Sequence, residues 1–98
     1  MNTLSEPEFE LLLSEILPDD EYDLLMRMWA INYTVVEYAV NHPKSHMIYY
    51  ITTDRCAEYE PDGYTLRWAS YTGRVGILSE YKQYETLLEA IEALSVYL

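Results

Sequence analysis

The segment that most constrains the fold spans residues 46–53 and reads HMIYYITT. Aromatic and β-branched residues occupy both faces of this segment, a pattern that is typical of a strand buried on more than one side. We therefore predict a strand here. The segments before and after it then decide which elements surround it.

Residues 56–68, CAEYEPDGYTLRW, predict a β-hairpin after this strand. The dipeptide Asp62-Gly63 favours a two-residue type I′ turn, because both central residues of that turn need positive φ. This register places Glu58 opposite Arg67 and leaves the other face apolar. A three-residue loop would put Glu58 on the face of Trp68, and a carboxylate is rarely buried without a partner. The residues of the hairpin that we expect to face the core are Tyr59, Leu66 and Trp68.

A capping box, Ser5-x-x-Glu8, predicts a first helix over residues 5–17. In such a box, each of the two side chains accepts a hydrogen bond from a free backbone N–H at the helix start. Pro18 ends the helix. Either Asp19 or Asp20 is expected to cap a second helix, because aspartate is a favoured residue at that position.

The second helix contains the sequence LLMRMWA at residues 24–30, but the sequence leaves its end open. Apolar spacing continues through Ala39 and favours a long helix that runs to about residue 41. The β-branched run at residues 34–36 is instead compatible with a strand over 34–40. We favour the long helix.

Two glycines accompany a further strand after the hairpin. Gly73 supplies the positive φ of a turn, and Gly76 indicates a bulge or a close backbone approach. A second capping box, Thr86-x-x-Glu89, predicts a last helix over residues 86–97. The element order predicts an α+β fold with two N-terminal helices, a three- or four-stranded antiparallel sheet and one C-terminal helix packed on the sheet. At 98 residues, we expect a single compact acidic domain over residues 1–98.

The chain is strongly acidic, with 17 Asp and Glu against 6 Lys and Arg and a net charge of −11. Binding to nucleic acid or to an anionic membrane needs Lys and Arg, so we expect no direct contact with either and instead a basic protein partner. The N-terminus lacks the basic start and long apolar run of a signal peptide. One cysteine allows no internal disulfide. These features predict a cytoplasmic protein.

Catalytic signatures are weak throughout the sequence. His42 and His46 have a spacing that binds metal on a helix, but Pro43 disfavours a helix between them. Cys56 lies in an apolar strand pattern that is typical of a small core residue rather than a nucleophile. We therefore predict no enzyme activity, no metal and no cofactor.

Carboxylates group at the start of the second helix, on the hairpin and along the last helix. Glu85, Glu89 and Glu92 follow the i, i+4, i+7 spacing of one helix edge, without a base at i±4 to neutralise them. The candidate partner-binding residues are Asp19, Asp20, Glu21, Asp23, Glu58, Glu60, Glu85, Glu89 and Glu92.

The leading hypothesis is a non-enzymatic inhibitor whose carboxylates replace phosphates in the basic groove of a nuclease or another nucleic-acid-binding protein. Phage-encoded inhibitors of defence nucleases and immunity proteins for nuclease toxins use this strategy. The alternative is a small regulatory or structural subunit that forms a homodimer or joins a larger complex through an apolar surface. That surface is expected around Trp29, Tyr33 and Met47.

Overall fold

The computed structural model describes residues 2–55, 59 and 61–98 of the chain. It confirms the predicted α+β layout of two N-terminal helices, an antiparallel sheet and a C-terminal helix against the sheet. The helices are α1 (Glu6–Ile16), α2 (Asp19–Ile31) and α3 (Leu87–Leu94). The strands are β1 (Asn2–Thr3), β2 (Val35–His42), β3 (Met47–Asp54), β4 (Gly63–Ser70) and β5 (Val75–Ile77), and they lie in the sheet in that order.

The predicted capping box fixes the start of α1. The Glu8 amide donates to Ser5 Oγ at 3.3 Å, and the Ser5 amide donates to the Glu8 carboxylate at 2.9 Å. Hydrogen bonding from Ser5 to the Glu8 carboxylate, first from the Ser5 backbone amide and then from its side chain, holds the pKa of Glu8 below its usual value.

The predicted cap of α2 is wrong. Pro18 occupies the N-cap position, and no side chain there accepts a capping hydrogen bond. The helix begins directly at Asp19, so Asp19 and Asp20 both lie inside its first turn. The helix dipole favours negative charge at that position, which explains why the aspartates are compatible with the helix start without capping it.

The predicted long second helix is also wrong, and the alternative strand is correct. The helix ends at Ile31, and β2 begins at Val35. Tyr33 adopts the left-handed conformation with a φ of 53°, which breaks the helical path. The Thr34 amide then donates to the Trp29 carbonyl at 2.8 Å. Pairing of β2 with β3 outweighs the helical spacing of the apolar residues in this segment.

The two-residue hairpin turn is wrong. In the β3–β4 ladder, Gly63 pairs with Asp54 and Leu66 pairs with Ile51, so the connection covers residues 55–62. Tyr59 is 90% exposed and does not face the core. The eight-pair ladder with β3 outweighs the longer loop, because the entropy of loop closure grows only slowly with length. The predicted position of Glu58 lies outside the described residues.

Helices cover both faces of the sheet. Alternate β3 residues Ile48 and Tyr50 pack against α1 and α2, together with Phe9, Leu13 and Trp29. The residues between them, Tyr49 and Ile51, pack against α3 with Leu66, Ala90 and Leu94. Leu66 and Trp68 therefore face inward as predicted, on the α3 side of the sheet.

The two glycines have the predicted roles. Gly73 has a φ of 91° in the turn before β5. A Cβ atom at Gly76 would lie 2.5 Å from the Trp68 indole, so the backbone of β5 passes directly beside that ring. At the last helix, Thr86 Oγ1 accepts from the Glu89 amide at 3.2 Å. Among the described residues, no helix is both long and apolar enough to cross a bilayer.

Candidate functional site

The outer surface of α1 and α2 is densely acidic. Eight carboxylates on these helices, which we call the acidic helix layer, are all exposed: Glu6, Glu8, Glu10, Glu15, Asp19, Asp20, Glu21 and Asp23. Arg27 is the only base on the two helices, and its Nε donates to the Asp23 carbonyl at 3.4 Å rather than to a carboxylate. Between described residues, ion pairs join only Arg55 to Asp62 and Arg67 to Asp54. No base therefore forms an ion pair with the acidic helix layer within this part of the chain.

Carboxylates of both helices act on one tyrosine. The pKa of Tyr22 is raised, first by burial and then by the charges of Glu10 and Asp23. Glu10 belongs to α1 and Asp23 to α2. A carboxylate from each helix therefore lies close enough to Tyr22 for its charge to act on that side chain.

A cleft opens between α1, α2 and β2 beside this layer. Its volume is about 240 Å³, and Glu6 and Glu10 lie in its wall together with Phe9 and Trp29. The Phe9 and Trp29 rings are stacked at 6.4 Å between centroids. An apolar floor with carboxylates above it suits a long basic side chain, whose methylene stem packs while its charge stays near the carboxylates.

The candidate partner-binding residues do not all lie on one side of the sheet. Asp19, Asp20, Glu21 and Asp23 lie on the α1–α2 side, whereas α3 and its Glu89 and Glu92 lie on the opposite side. All of these carboxylates are exposed. Glu58 and Glu60 lie outside the described residues.

Only two of the three glutamates that were predicted to align along the last helix lie on that helix. Glu85 precedes the N-cap Thr86 and lies outside α3, which begins at Leu87. The reason is that Thr86 has an extended backbone and ends the helical path toward Glu85. Glu89 and Glu92 remain on the helix, three residues apart.

No residue spacing in the sequence indicates the buried polar network around Asp54. Asp54 is completely buried, and its carboxylate accepts from Thr34 Oγ1 at 2.8 Å and from Thr52 Oγ1 at 2.7 Å. Arg67 donates from Nε to Thr52 Oγ1 at 2.8 Å and lies 3.4 Å from the carboxylate. Burial raises the pKa of Tyr50 to about 12, with Arg67 opposing the shift and Asp54 adding to it. Every acceptor in this network has a partner, which is typical of a structural ion pair.

The two histidines and the cysteine form no catalytic arrangement in the described residues. His42 ends β2 and is hydrogen-bonded through Nδ1 to Ser45, while His46 follows the 3-10 turn Pro43–Ser45. Cys56 lies outside the described residues. Within the part of the chain that the structure describes, no three His, Cys, Asp or Glu side chains could hold a metal ion.

The surface expected for the alternative hypothesis is exposed only in part. Trp29 is only 9% exposed and Met47 is partly buried, although Tyr33 is exposed. Ile31 and Val35 beside Tyr33 are also exposed. Further exposed apolar side chains lie between α2 and β5, where two adjoining depressions share Leu25 and Val75. We call this feature the α2–β5 groove; its exposed apolar members are Leu24, Met28, Val75 and Ile77.

The comparisons with known proteins give no relative: no protein-family model, no curated protein and no solved structure matches the chain.

Proposed function

We propose that this chain is a non-enzymatic binding protein that presents the acidic helix layer to a basic partner and inhibits it. The observation that carries the proposal is the charge of that layer, with eight exposed carboxylates and one guanidinium. Proteins that handle nucleic acid line their grooves with Lys and Arg. The partner class we propose is therefore a nuclease or another nucleic-acid-binding protein, whose groove receives carboxylates in place of phosphates.

The net charge of −11 supports this mechanism through the rate of association. Complementary charge steers the encounter of two proteins and raises the association rate constant by a factor of about 10 to 10³. The effect falls with salt, because the Debye length is about 10 Å at 0.1 M ionic strength. Binding by the acidic helix layer is therefore expected to weaken as salt rises.

The cleft beside Glu6 and Glu10 supports a specific anchor within the layer. We propose that one Lys or Arg of the partner enters this cleft, with its stem against Phe9 and Trp29. Fully desolvated anchors contribute most of the binding free energy at typical interfaces, whereas exposed rim charges contribute little.

The test uses two variants that lose the same number of charges. The first replaces carboxylates of the acidic helix layer: Glu6→Gln, Glu10→Gln, Glu21→Gln and Asp23→Asn. The matched control replaces carboxylates outside it: Glu80→Gln, Glu85→Gln, Glu92→Gln and Asp62→Asn. Glu89 is retained, because its carboxylate accepts from Thr86 Oγ1 in the second capping box. Glu8 is retained, because it belongs to the capping box. Each protein is immobilised to capture partners from lysate at low and high salt, and captured proteins are identified by mass spectrometry.

We expect wild type and the control variant to capture the same basic nucleic-acid-binding proteins, and the layer variant to lose them. Adding DNA should compete with capture, because both ligands occupy one groove. Equal loss in both variants would mean that net charge alone governs binding. Capture that is unchanged in the layer variant and insensitive to salt would refute the proposal.

The α2–β5 groove favours a second candidate function. An exposed apolar groove is typical of a subunit that joins a larger complex or a homodimer. In that case the acidic helix layer would serve solubility alone. Capture of the same partners by wild type and by the layer variant at every salt concentration would support it.

A further inference from the structure

The free edge of β5 presents unpaired backbone groups. The Leu78 amide donates to Leu66, and the Ser70 amide donates to Arg74, so Gly76 is the hydrogen-bonded partner of Trp68. Bonding alternates along an antiparallel ladder, which turns the N–H and C=O groups of Val75 and Ile77 away from β4. No described strand lies beyond β5. This edge can accept one more strand.

Side chains beside this edge form an apolar site for alternate residues of such a strand. Val75 and Ile77 pair with Ala69 and Arg67, which places both on the α2 face of the sheet. One depression of about 250 Å³ lies against Leu24 and Met28, and the next, of about 260 Å³, lies against Ile77 and Tyr81. Residues i and i+2 of an added strand project to one face about 7 Å apart. Two successive apolar side chains can therefore occupy the two depressions.

The charge around the α2–β5 groove indicates which kind of segment binds there. Glu21 lines the first depression and also belongs to the acidic helix layer, so that end of the groove is continuous with the layer. Arg67 lines the second depression, where its charge is paired with the buried Asp54. A second copy of this chain would bring another net charge of −11 to this surface. A segment with Lys or Arg beside its apolar residues is attracted instead.

We propose that the α2–β5 groove binds an extended apolar segment, flanked by Lys or Arg, that adds to β5 as an antiparallel strand. The segment belongs to the basic partner, so the charge of the occupant rests on the proposed function. Backbone hydrogen bonds to Val75 and Ile77 hold the segment, and its alternate apolar side chains enter the two depressions.

The probe is the peptide acetyl-Lys-Lys-Val-Thr-Val-Lys-Lys-amide, titrated into the isotope-labelled wild-type chain and followed by amide and methyl NMR. In an antiparallel added strand, the residues opposite Val75 and Ile77 have their side chains on the α2 face and direct their N–H groups to β5. An analogue methylated on both Val nitrogens therefore cannot donate these hydrogen bonds to β5. The matched control analogue is methylated on Thr and on the Lys after the second Val, whose nitrogens face away.

We expect the probe to shift the amides of Val75 and Ile77 and the methyl groups of Leu24, Leu25 and Met28. The Val-methylated analogue should bind about tenfold more weakly or worse through loss of two hydrogen bonds, and the control analogue should bind like the probe. A Glu-flanked probe should bind more weakly than the Lys-flanked one.

Four outcomes would overturn the inference. Equal binding of both methylated analogues would exclude strand addition, and no shift in the groove at about 1 mM probe would exclude the site. Shifts of the same groups on raising protein concentration alone would assign the groove to a second copy. Shifts confined to α1 and the cleft would remove the groove as a site while leaving the acidic helix layer as the proposed partner surface.

Discussion

Replacing Asp54 with asparagine should destabilise the fold by about 2 to 4 kcal/mol. The Asp54 carboxylate is completely buried and receives hydrogen bonds from Thr34, Thr52 and Arg67. Asparagine keeps one acceptor but turns an N–H₂ group toward one of these donors. It also leaves the guanidinium of Arg67 without its counter-charge. Removing one partner of a buried pair costs about 3 to 5 kcal/mol. The Arg67 side chain is 19% exposed and remains partly hydrated, so we expect a cost at or just below the lower end of this range.

The assay is urea and thermal unfolding of wild type, Asp54→Asn and the control Asp62→Asn. The control removes the same charge from an exposed pair, in which Arg55 and Asp62 lie 3.7 Å apart with side chains 35% and 54% exposed. That substitution should cost less than about 1 kcal/mol. The Asp54 variant should lower Tm by roughly 10 to 30 °C. Equal losses for the two substitutions would refute the argument that the buried network stabilises the fold.

Three further substitutions test other contacts. Ser5→Ala should destabilise the chain by about 0.5 to 2 kcal/mol through loss of the α1 cap. The penalty should change little in acid, because the variant keeps the Ser5 backbone amide, which is the main cause of the lowered pKa of Glu8. In both proteins, the stability that this pKa provides above the ordinary value of 4.5 is lost as pH falls through the folded pKa, which an unfolding series over pH would detect. Gly76→Ala should cost about 1 to 3 kcal/mol because its Cβ would lie 2.5 Å from the Trp68 indole, and an unchanged indole fluorescence and Tm would contradict this. Wild type should lose stability as pH rises from 10 to 12, because the Tyr50 pKa is raised from 10.0 to about 12 in the folded chain. The raised pKa stabilises the fold below pH 10, and that contribution disappears as pH rises through 12. Tyr50→Phe should not show this loss. Alkaline unfolding of wild type and variant measures the difference.

Local signals in the sequence predicted local structure well. The capping box at Ser5 and Glu8 needs only residues three apart, and its two hydrogen bonds form as expected. Gly73 similarly has the predicted positive φ. The end of α2 was not predictable in this way, because the left-handed conformation of Tyr33 is not favoured by its residue type.

The features that local signals did not predict depend on pairing and packing between separate segments of the chain. The Asp62-Gly63 dipeptide has the composition of a tight turn, yet Gly63 pairs with Asp54 because the whole β3–β4 ladder sets the register. The same register buries Asp54 beside Arg67, which no spacing in the sequence indicated. For the candidate site, composition predicted an acidic surface. The separation of α2 and α3 onto opposite faces depends on topology and could not be predicted from composition.

The order of the strands has a consequence for how the sheet assembles during folding. From β2 to β5, each strand pairs with the strand that follows it in the chain, so each pairing closes a short segment. Predominantly local pairing favours rapid folding. β1 is the exception, because Asn2 pairs with Asn41 across both α1 and α2. Its pairing closes the longest segment and holds the two helices against the sheet, so we expect it to form last and to break first when the chain unfolds.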